Sequence, residues 1–424
     1  MAIIDLKSQN PDVSWVIYKN PLTQAEQKKP FIRPLRKGQA IGWYNDNQGE
    51  SFRIWFKEGT TQSSFYKHLD NGYLDQSAYN CPYVYCALIG EMLSSTARAV
   101  HEKDTECENQ ITLSAVFITL PNVAQFFVRY FADKVSITMT PIAKKVYEIS
   151  FSGKVSLFYL VNLVQIFCLM QSVEDRNIYL DLSASVLTKY ATALKNINAP
   201  YFIVYLFMSR CVPDAHQFNK IKPVLEQSGW VLHYGNTQKQ RFDAIKKHVQ
   251  KGHLLNDIGC GELYYSRHFS GSYEKVLAWD ADEAIQRRNS TFIVKKNLSN
   301  IELKPAFTPE HAYQIEGGSD ILITEMLEHI PQEQALAILK LLVKQNFRRM
   351  IITLPNHEFN QFYKLEHEFR HDDHCWEPDY QQTVDFIKQA TAEVSDIKVQ
   401  ITPVGDGINN IHVSTMIVID KEVA

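Results

Sequence analysis

The chain has 424 residues, with 44 Lys and Arg against 47 Asp and Glu, a formal net charge of −3, 45% hydrophobic residues and 21% charged ones. This is an ordinary globular composition with room for two or three domains; it excludes a globally basic nucleic-acid coat but not a local basic groove. The 7 cysteines are odd in number and lack Cys-x-x-Cys spacing, and Met1–Lys7 has no signal-peptide layout, so the expectation is reduced thiols, a cytoplasmic location and no membrane.

In chain order, residues 1–145 mix aromatic strand-like pieces (Phe52–Phe56, Ala115–Leu120) with helical ones (Tyr83–Val100, Val123–Phe131), separated by a polar loop over His101–Gln110. This predicts an α+β N-terminal domain. Residues 146–238 read as mainly helical, with helices over Val155–Ser172, Ala184–Asn196 and Ala199–Val212. The most apolar window, Tyr159–Met170, is too short to span a bilayer and carries Asn162 and Gln165, so it reads as a buried helix. The polar segment Gly235–Arg241 is the natural boundary, and from residue 239 to 424 the pattern changes to alternating strands and helices. Strands are expected at 253–258, 275–280, 292–297, 320–325, 349–354, 397–404 and 412–419, with helices near 262–269, 281–289, 332–346 and 379–392. The fold class is therefore α/β, a seven-stranded, mostly parallel sheet closed by an antiparallel hairpin.

Three sites along this part carry chemistry. The run Leu254–Glu262 is an apolar strand breaking into Asp257-x-Gly259-x-Gly261, where glycines let backbone approach a bound cofactor. A second strand ends in Asp280, where an acid can hold ribose hydroxyls. The buried-strand run Asp320–Ile323 leads into Glu325, Glu328 and His329, whose i, i+3, i+4 spacing gathers side chains on one turn at the sheet edge where such folds bind ligands. Further on, His371-Asp372-Asp373-His374 adds imidazole and carboxylate within Asn356–Trp376, a stretch too long for a plain connection and expected to bind substrate. Mixed O and N donors suit a divalent metal with open positions.

The ordered set Asp257-x-Gly259-x-Gly261, Asp280 and Glu325-x-x-Glu328-His329 resembles a class I S-adenosylmethionine methyltransferase of Rossmann-like fold. Together with Thr353-Leu-Pro355-Asn356-His-Glu-Phe-Asn360 and Phe369-Arg370-His-Asp-Asp373-His374-Cys-Trp-Glu377, it is similar to the Hen (Hua-enhancer type) family, which methylates the 2′-hydroxyl at the 3′ end of RNA. The resemblance covers the whole C-terminal domain; Leu74–Tyr83 adds a looser similarity to the N-terminal region of bacterial members. It implies a cofactor site of Asp257, Gly259, Gly261 and Asp280, and metal ligands Glu325, Glu328, His329 and His374 for one magnesium or manganese ion. His374 is favoured over His371 on the family motif, and either His329 or His374 can also take the 2′ proton as the catalytic base. The substrate implied is RNA with a free 3′-terminal 2′,3′-diol. In bacteria the resemblance further implies a partner, a polynucleotide kinase–phosphatase–ligase engaged by the N-terminal region, which makes a scaffold role the alternative reading. Two departures from the family pattern, the inserted Leu354 and the absence of an arginine near Tyr380, bear on RNA affinity more than on the metal or cofactor site.

Overall fold

The computed structural model describes residues 2–22, 29–35, 38–45, 49–58, 80–175, 180 and 182–421. Leu74–Tyr79 of the N-terminal motif lie outside the described residues. Two compact units divide the chain, Met1–Leu225 and Glu226–Ala424.

The first unit is built on a seven-stranded sheet of β1 (Ile3–Ser8), β2 (Phe31–Leu35), β3 (Gly38–Tyr44), β4 (Ser51–Glu58), β5 (Cys107–Phe117), β6 (Ser136–Ala143) and β7 (Val146–Val155). Their order is β2-β3-β4-β1-β5-β7-β6, and every pairing is antiparallel. Two expectations fail here. The polar run before Ile111 is strand from Cys107 onward rather than loop, because Asn109, Ile111 and Leu113 alternate inward while Glu108 faces out. The stretch expected to be mainly helical opens with β7, the partner of β5.

Helices pack around this sheet. Leu157–Glu174 is long and apolar enough to cross a membrane, but 78% of its window is buried within the unit. A helix apolar on all sides that is covered on all sides is a core helix. The helix expected over Tyr83–Val100 forms as two pieces, Pro82–Met92 and Ser94–Arg98.

In the second unit β8 (Trp230–Val231), β9 (Gly252–Ile258), β10 (Tyr273–Trp279), β11 (Ile301–Lys304), β12 (Asp320–Thr324), β13 (Arg349–Pro355), β14 (Ile397–Ile408) and β15 (Ile411–Lys421) form one sheet, order β11-β10-β9-β12-β13-β15-β14-β8. β11 through β13 run parallel and the β14–β15 hairpin closes the sheet antiparallel, as expected. The sheet is nonetheless mixed and eight-stranded rather than seven-stranded, because the two residues of β8 pair with Gly407 and Ile408 at its edge.

The strand expected at 292–297 is instead the end of the helix Glu283–Lys296. Asp282 caps its N-terminus by accepting from the Ala284 and Ile285 amides, and Asn297 closes it in a left-handed conformation. The β-branched run Thr291–Val294 misleads because only Phe292 and Ile293 pack inward, while Val294 is 79% exposed. The third parallel strand is the short β11.

All five residues of β12 are buried, Ile321 and Ile323 in the core on one face and Leu322 in the core on the other. β12 pairs with β9 on one side and β13 on the other. The strand order reverses between β9 and β12, so the loops following both open into the crevice where an open α/β sheet binds ligands. Gly259–Gly261 and Glu325–His329 are those loops.

Candidate metal centre and nucleotide cradle

β12 ends abruptly. Glu325 takes a left-handed backbone (φ 47°) while its amide donates to the Thr353 carbonyl at 3.1 Å, and Leu327–His329 follow as one 3-10 turn. The segment carrying His374 is pinned onto this turn. Cys375 donates its amide to the Glu328 carbonyl at 2.7 Å, and the Trp376 indole N–H reaches the carbonyls of Leu327 (3.0 Å) and Ile330 (3.1 Å). Two chain segments distant in sequence are thus locked edge to edge.

Within that junction Glu328, His329 and His374 each bring a ligand atom to within 4.8 Å of the others. The two imidazoles stand perpendicular, 4.7 Å between centroids. His374 Nδ1 lies 2.6 Å from Glu377 Oε1, and His329 Nδ1 lies 3.1 Å from Asp373 Oδ2. A carboxylate on Nδ1 fixes ring orientation and leaves Nε2 as the donor for a metal.

Glu377 itself is fully held. Its Oε2 accepts from Asn360 Nδ2 at 2.7 Å and its Oε1 from the Arg370 amide at 2.8 Å, while Arg370 Nε donates to Asn360 Oδ1 at 2.6 Å. Burial raises the Glu377 carboxyl, but the bonds from His374, Asn360 and Arg370 outweigh it and hold the group below the ordinary carboxylate range. Sequence reasoning placed Glu377 only within a motif and gave it no role. The His374–Glu377 spacing of i, i+3 is the signal that could have found it. Asn360 and Arg370 face this carboxylate, and Asn356 caps the turn at Glu358.

Glu328 is fully buried, and neither of its carboxylate oxygens has a hydrogen-bond partner. Burial, and then the neighbouring Glu325 charge, push its carboxyl well above the ordinary range. Glu325 turns one oxygen to Arg241 Nη1 at 3.2 Å, on the helix Thr237–Ile245, and its Oε1 is also buried without a partner. Three orphaned carboxylate oxygens at one point are rare in a folded protein and expensive, because each has lost its water. The unpartnered Glu328 carboxylate beside two imidazoles is a donor set that fits a divalent cation. Among the four residues expected as ligands, Glu328, His329 and His374 are gathered, and Glu325 stands beside them against Arg241. His371 lies outside the trio, its ring 5.1 Å from that of His374.

At the end of β9 the turn has a different character. Gly259 (φ 76°) could not carry a side chain, since a Cβ there would lie 2.3 Å from Met326 Cγ. A Cβ on Gly261 (φ 49°) would meet nothing within 4 Å. The two glycines thus serve different ends: Gly259 lets Met326 of the Glu325–His329 turn pack against the turn after β9, and Gly261 borders open space. Asp280 accepts from the Gly261 amide at 2.8 Å and from the Asp282 amide at 2.9 Å. Asp257 is fully buried; its Oδ2 accepts from Ser266 Oγ at 2.6 Å and its Oδ1 has no partner. Burial pushes its carboxyl up to about 6, against the lowering effect of Ser266. The space at Gly261 and the unpartnered Asp257 oxygen fit a nucleotide-type cofactor carrying hydrogen-bond donors.

Residues 3–229 match the Hen1 N-terminal domain. The chain is also similar along its length to solved structures. One is a chain of the Pnkp1/Rnl/Hen1 RNA repair complex, at 25% identity and TM-score 0.78, covering 99% of this chain and 100% of that one. Another structure of a Pnkp1/Rnl/Hen1 complex matches at 25% identity and TM-score 0.76, with the same coverage. No curated protein sequence matches the chain.

Proposed function

The chain belongs to the Hen1 family, and from that premise we propose that it methylates the 2′-hydroxyl of the 3′-terminal nucleotide of RNA, using S-adenosylmethionine and one divalent metal, within an RNA-repair assembly. The single observation that carries the chemical half is the buried, unpartnered Glu328 carboxylate packed against His329 and His374. The strand order of the second sheet, with its closing hairpin, supports a class I methyltransferase fold.

A bound divalent cation lowers the pKa of a hydroxyl it coordinates, and S-adenosylmethionine supplies an electrophilic methyl group on sulfur. The protein's residues hold and orient. Glu328, His329 and His374 would hold the metal through a carboxylate oxygen and the two Nε2 atoms, with Glu325, now against Arg241, as a fourth ligand. Glu377 keeps His374 from rotating, and Asp373 does the same for His329. If the metal takes only one of the two imidazoles, the other would take the 2′ proton at its Nε2 instead. Asp280 and Asp257, beside Gly261, would hold the cofactor by accepting hydrogen bonds from it. Only a 3′-terminal ribose presents two free vicinal hydroxyls, so a metal held there would favour RNA ends over DNA and over internal positions. Manganese should suit two imidazoles better than magnesium does. Titrating manganese into the full-length protein is expected to show one ion per chain by electron paramagnetic resonance. The absence of bound manganese would contradict the metal assignment.

For the other half, residues 1–145 with the mainly helical part to 238 serve as the partner-binding region, and 239–424 as the methyltransferase domain. The partner is a polynucleotide kinase–phosphatase and RNA ligase, as in the Pnkp1/Rnl/Hen1 complexes. The full chain is expected to co-purify with such a ligase, and substitution of exposed residues in the first unit to abolish capture without loss of methyl transfer. Capture that survives deletion of residues 1–225 would contradict this division of labour.

A further inference from the structure

A cavity of about 400 Å³ lies within the first unit, away from every residue named in the chemistry above. It is bounded by the helices Pro82–Met92 and Ser94–Arg98, the core helix Leu157–Glu174, and Ala184–Asn196. Its room comes from small residues, Gly90, Ala97 and Ala193. The volume falls in the range of small-ligand pockets.

What lines it is chemically specific. Gln165 is 1% exposed, and both its amide nitrogen and its amide oxygen are buried with no hydrogen-bond partner. One turn away Asn162 is differently placed, its amide nitrogen donating to the Ala97 carbonyl at 3.1 Å and the Phe158 carbonyl at 2.8 Å. Arg98 and Lys189 line the same cavity, are exposed, and form no ion pair among the described residues. An amide buried in the middle of a core helix with neither end satisfied is costly, and here it lines a cavity together with two cations, Arg98 and Lys189, the latter 6.0 Å over the Tyr190 ring.

We propose that this cavity binds a small nucleotide, its phosphate at Arg98 and Lys189 and its base edge on the Gln165 amide. A glutamine side chain offers one donor and one acceptor side by side, which complements the adjacent amino group and ring nitrogen of adenine. Arginine and lysine together in the lining of a cavity suit a phosphate. The site would make the N-terminal unit a reader of nucleotide, independent of the cofactor cradle and the metal. It does not rest on the methyltransferase reading.

Calorimetry of the full-length protein with adenosine 5′-monophosphate tests it, with S-adenosylhomocysteine present to occupy the second nucleotide site. Adenosine monophosphate is expected to bind with a Kd below about 1 mM. Ribose 5-phosphate, which lacks the base, and adenosine, which lacks the phosphate, should each bind at least about tenfold more weakly. Gln165→Leu should weaken the monophosphate about tenfold and leave ribose 5-phosphate unchanged, while Arg98→Ala and Lys189→Ala weaken both phosphates. The Tm of Gln165→Leu should equal or exceed that of the wild type, since the amide has no internal partner to lose. No binding of the monophosphate, or binding that Gln165→Leu leaves unchanged, would overturn the proposal and leave the cavity to water.

Discussion

Replacing Glu328 by Gln is expected to abolish methyl transfer while making the metal-free protein more stable. The carboxylate is fully buried, both oxygens lack partners, and Glu325 adds a second negative charge nearby. Glutamine has nearly the same shape without the charge, so the desolvation cost that the native state carries at neutral pH disappears. The gain should be on the order of 1–3 kcal/mol in urea or thermal melts without metal. Methyl transfer should fall by about 100-fold or more, because an amide is a poor ligand for a divalent ion. Added manganese should stabilise the wild type and not the variant. A variant that is less stable than wild type without metal, or that keeps full activity, would show that the carboxylate serves the fold and not a cation.

Asp257→Asn carries the second large effect. A buried carboxyl raised from 3.8 to about 6 holds its proton in the native state at pH values where the unfolded chain has released it. Stability contributed by this group is therefore present below about pH 4 and is lost as pH rises to about 6, the reverse of an ion-paired carboxylate. The difference converts to about 3 kcal/mol at most. Asparagine removes the titration, so the variant's stability should change less than that of the wild type between pH 4 and pH 7 as read by chemical denaturation at each pH, and it should be the more stable of the two at neutral pH. Its affinity for S-adenosylmethionine should fall at least about tenfold, because the amide offers one acceptor where the carboxylate offers two, and Ser266 already takes one of them. Equal slopes for the two proteins would show that Asp257 ionises without penalty, and unchanged cofactor affinity would remove it from the cradle.

The second unit was legible where pattern and chemistry agree. Ile321–Ile323 is a short apolar run with no polar alternation, as a strand covered on both faces requires, and the glycine pair after Asp257 marks a turn. Pairwise relations across the chain were not legible. Arg241 meets Glu325, and Trp376 ties down the Leu327 turn, through contacts that no local spacing encodes. Glu377 was visible as a residue of a motif but not as the carboxylate that aims His374. Gly259 was expected to clear space for cofactor, whereas its own Cβ would strike Met326. The misread strand at 292–297 has a local cause: caps at Asp282 and Asn297 override the β-branched run between them. In the first unit, β5 was hidden because its inward positions begin with an asparagine, whose side chain is buried by donating to the Val155 carbonyl at 2.7 Å.

The central claim is that a metal-held ribose diol at the 3′ end of RNA is the methyl acceptor. The direct measurement is transfer of labelled methyl from S-adenosylmethionine, with manganese, to an RNA bearing a 3′-terminal diol and to the same RNA ending in a 2′-deoxynucleotide. The diol RNA should be labelled on its last nucleotide, the 2′-deoxy RNA should not, and a strong chelator should suppress the first reaction. Equal labelling of both RNAs, or labelling of the diol RNA undiminished by the chelator, would contradict the account.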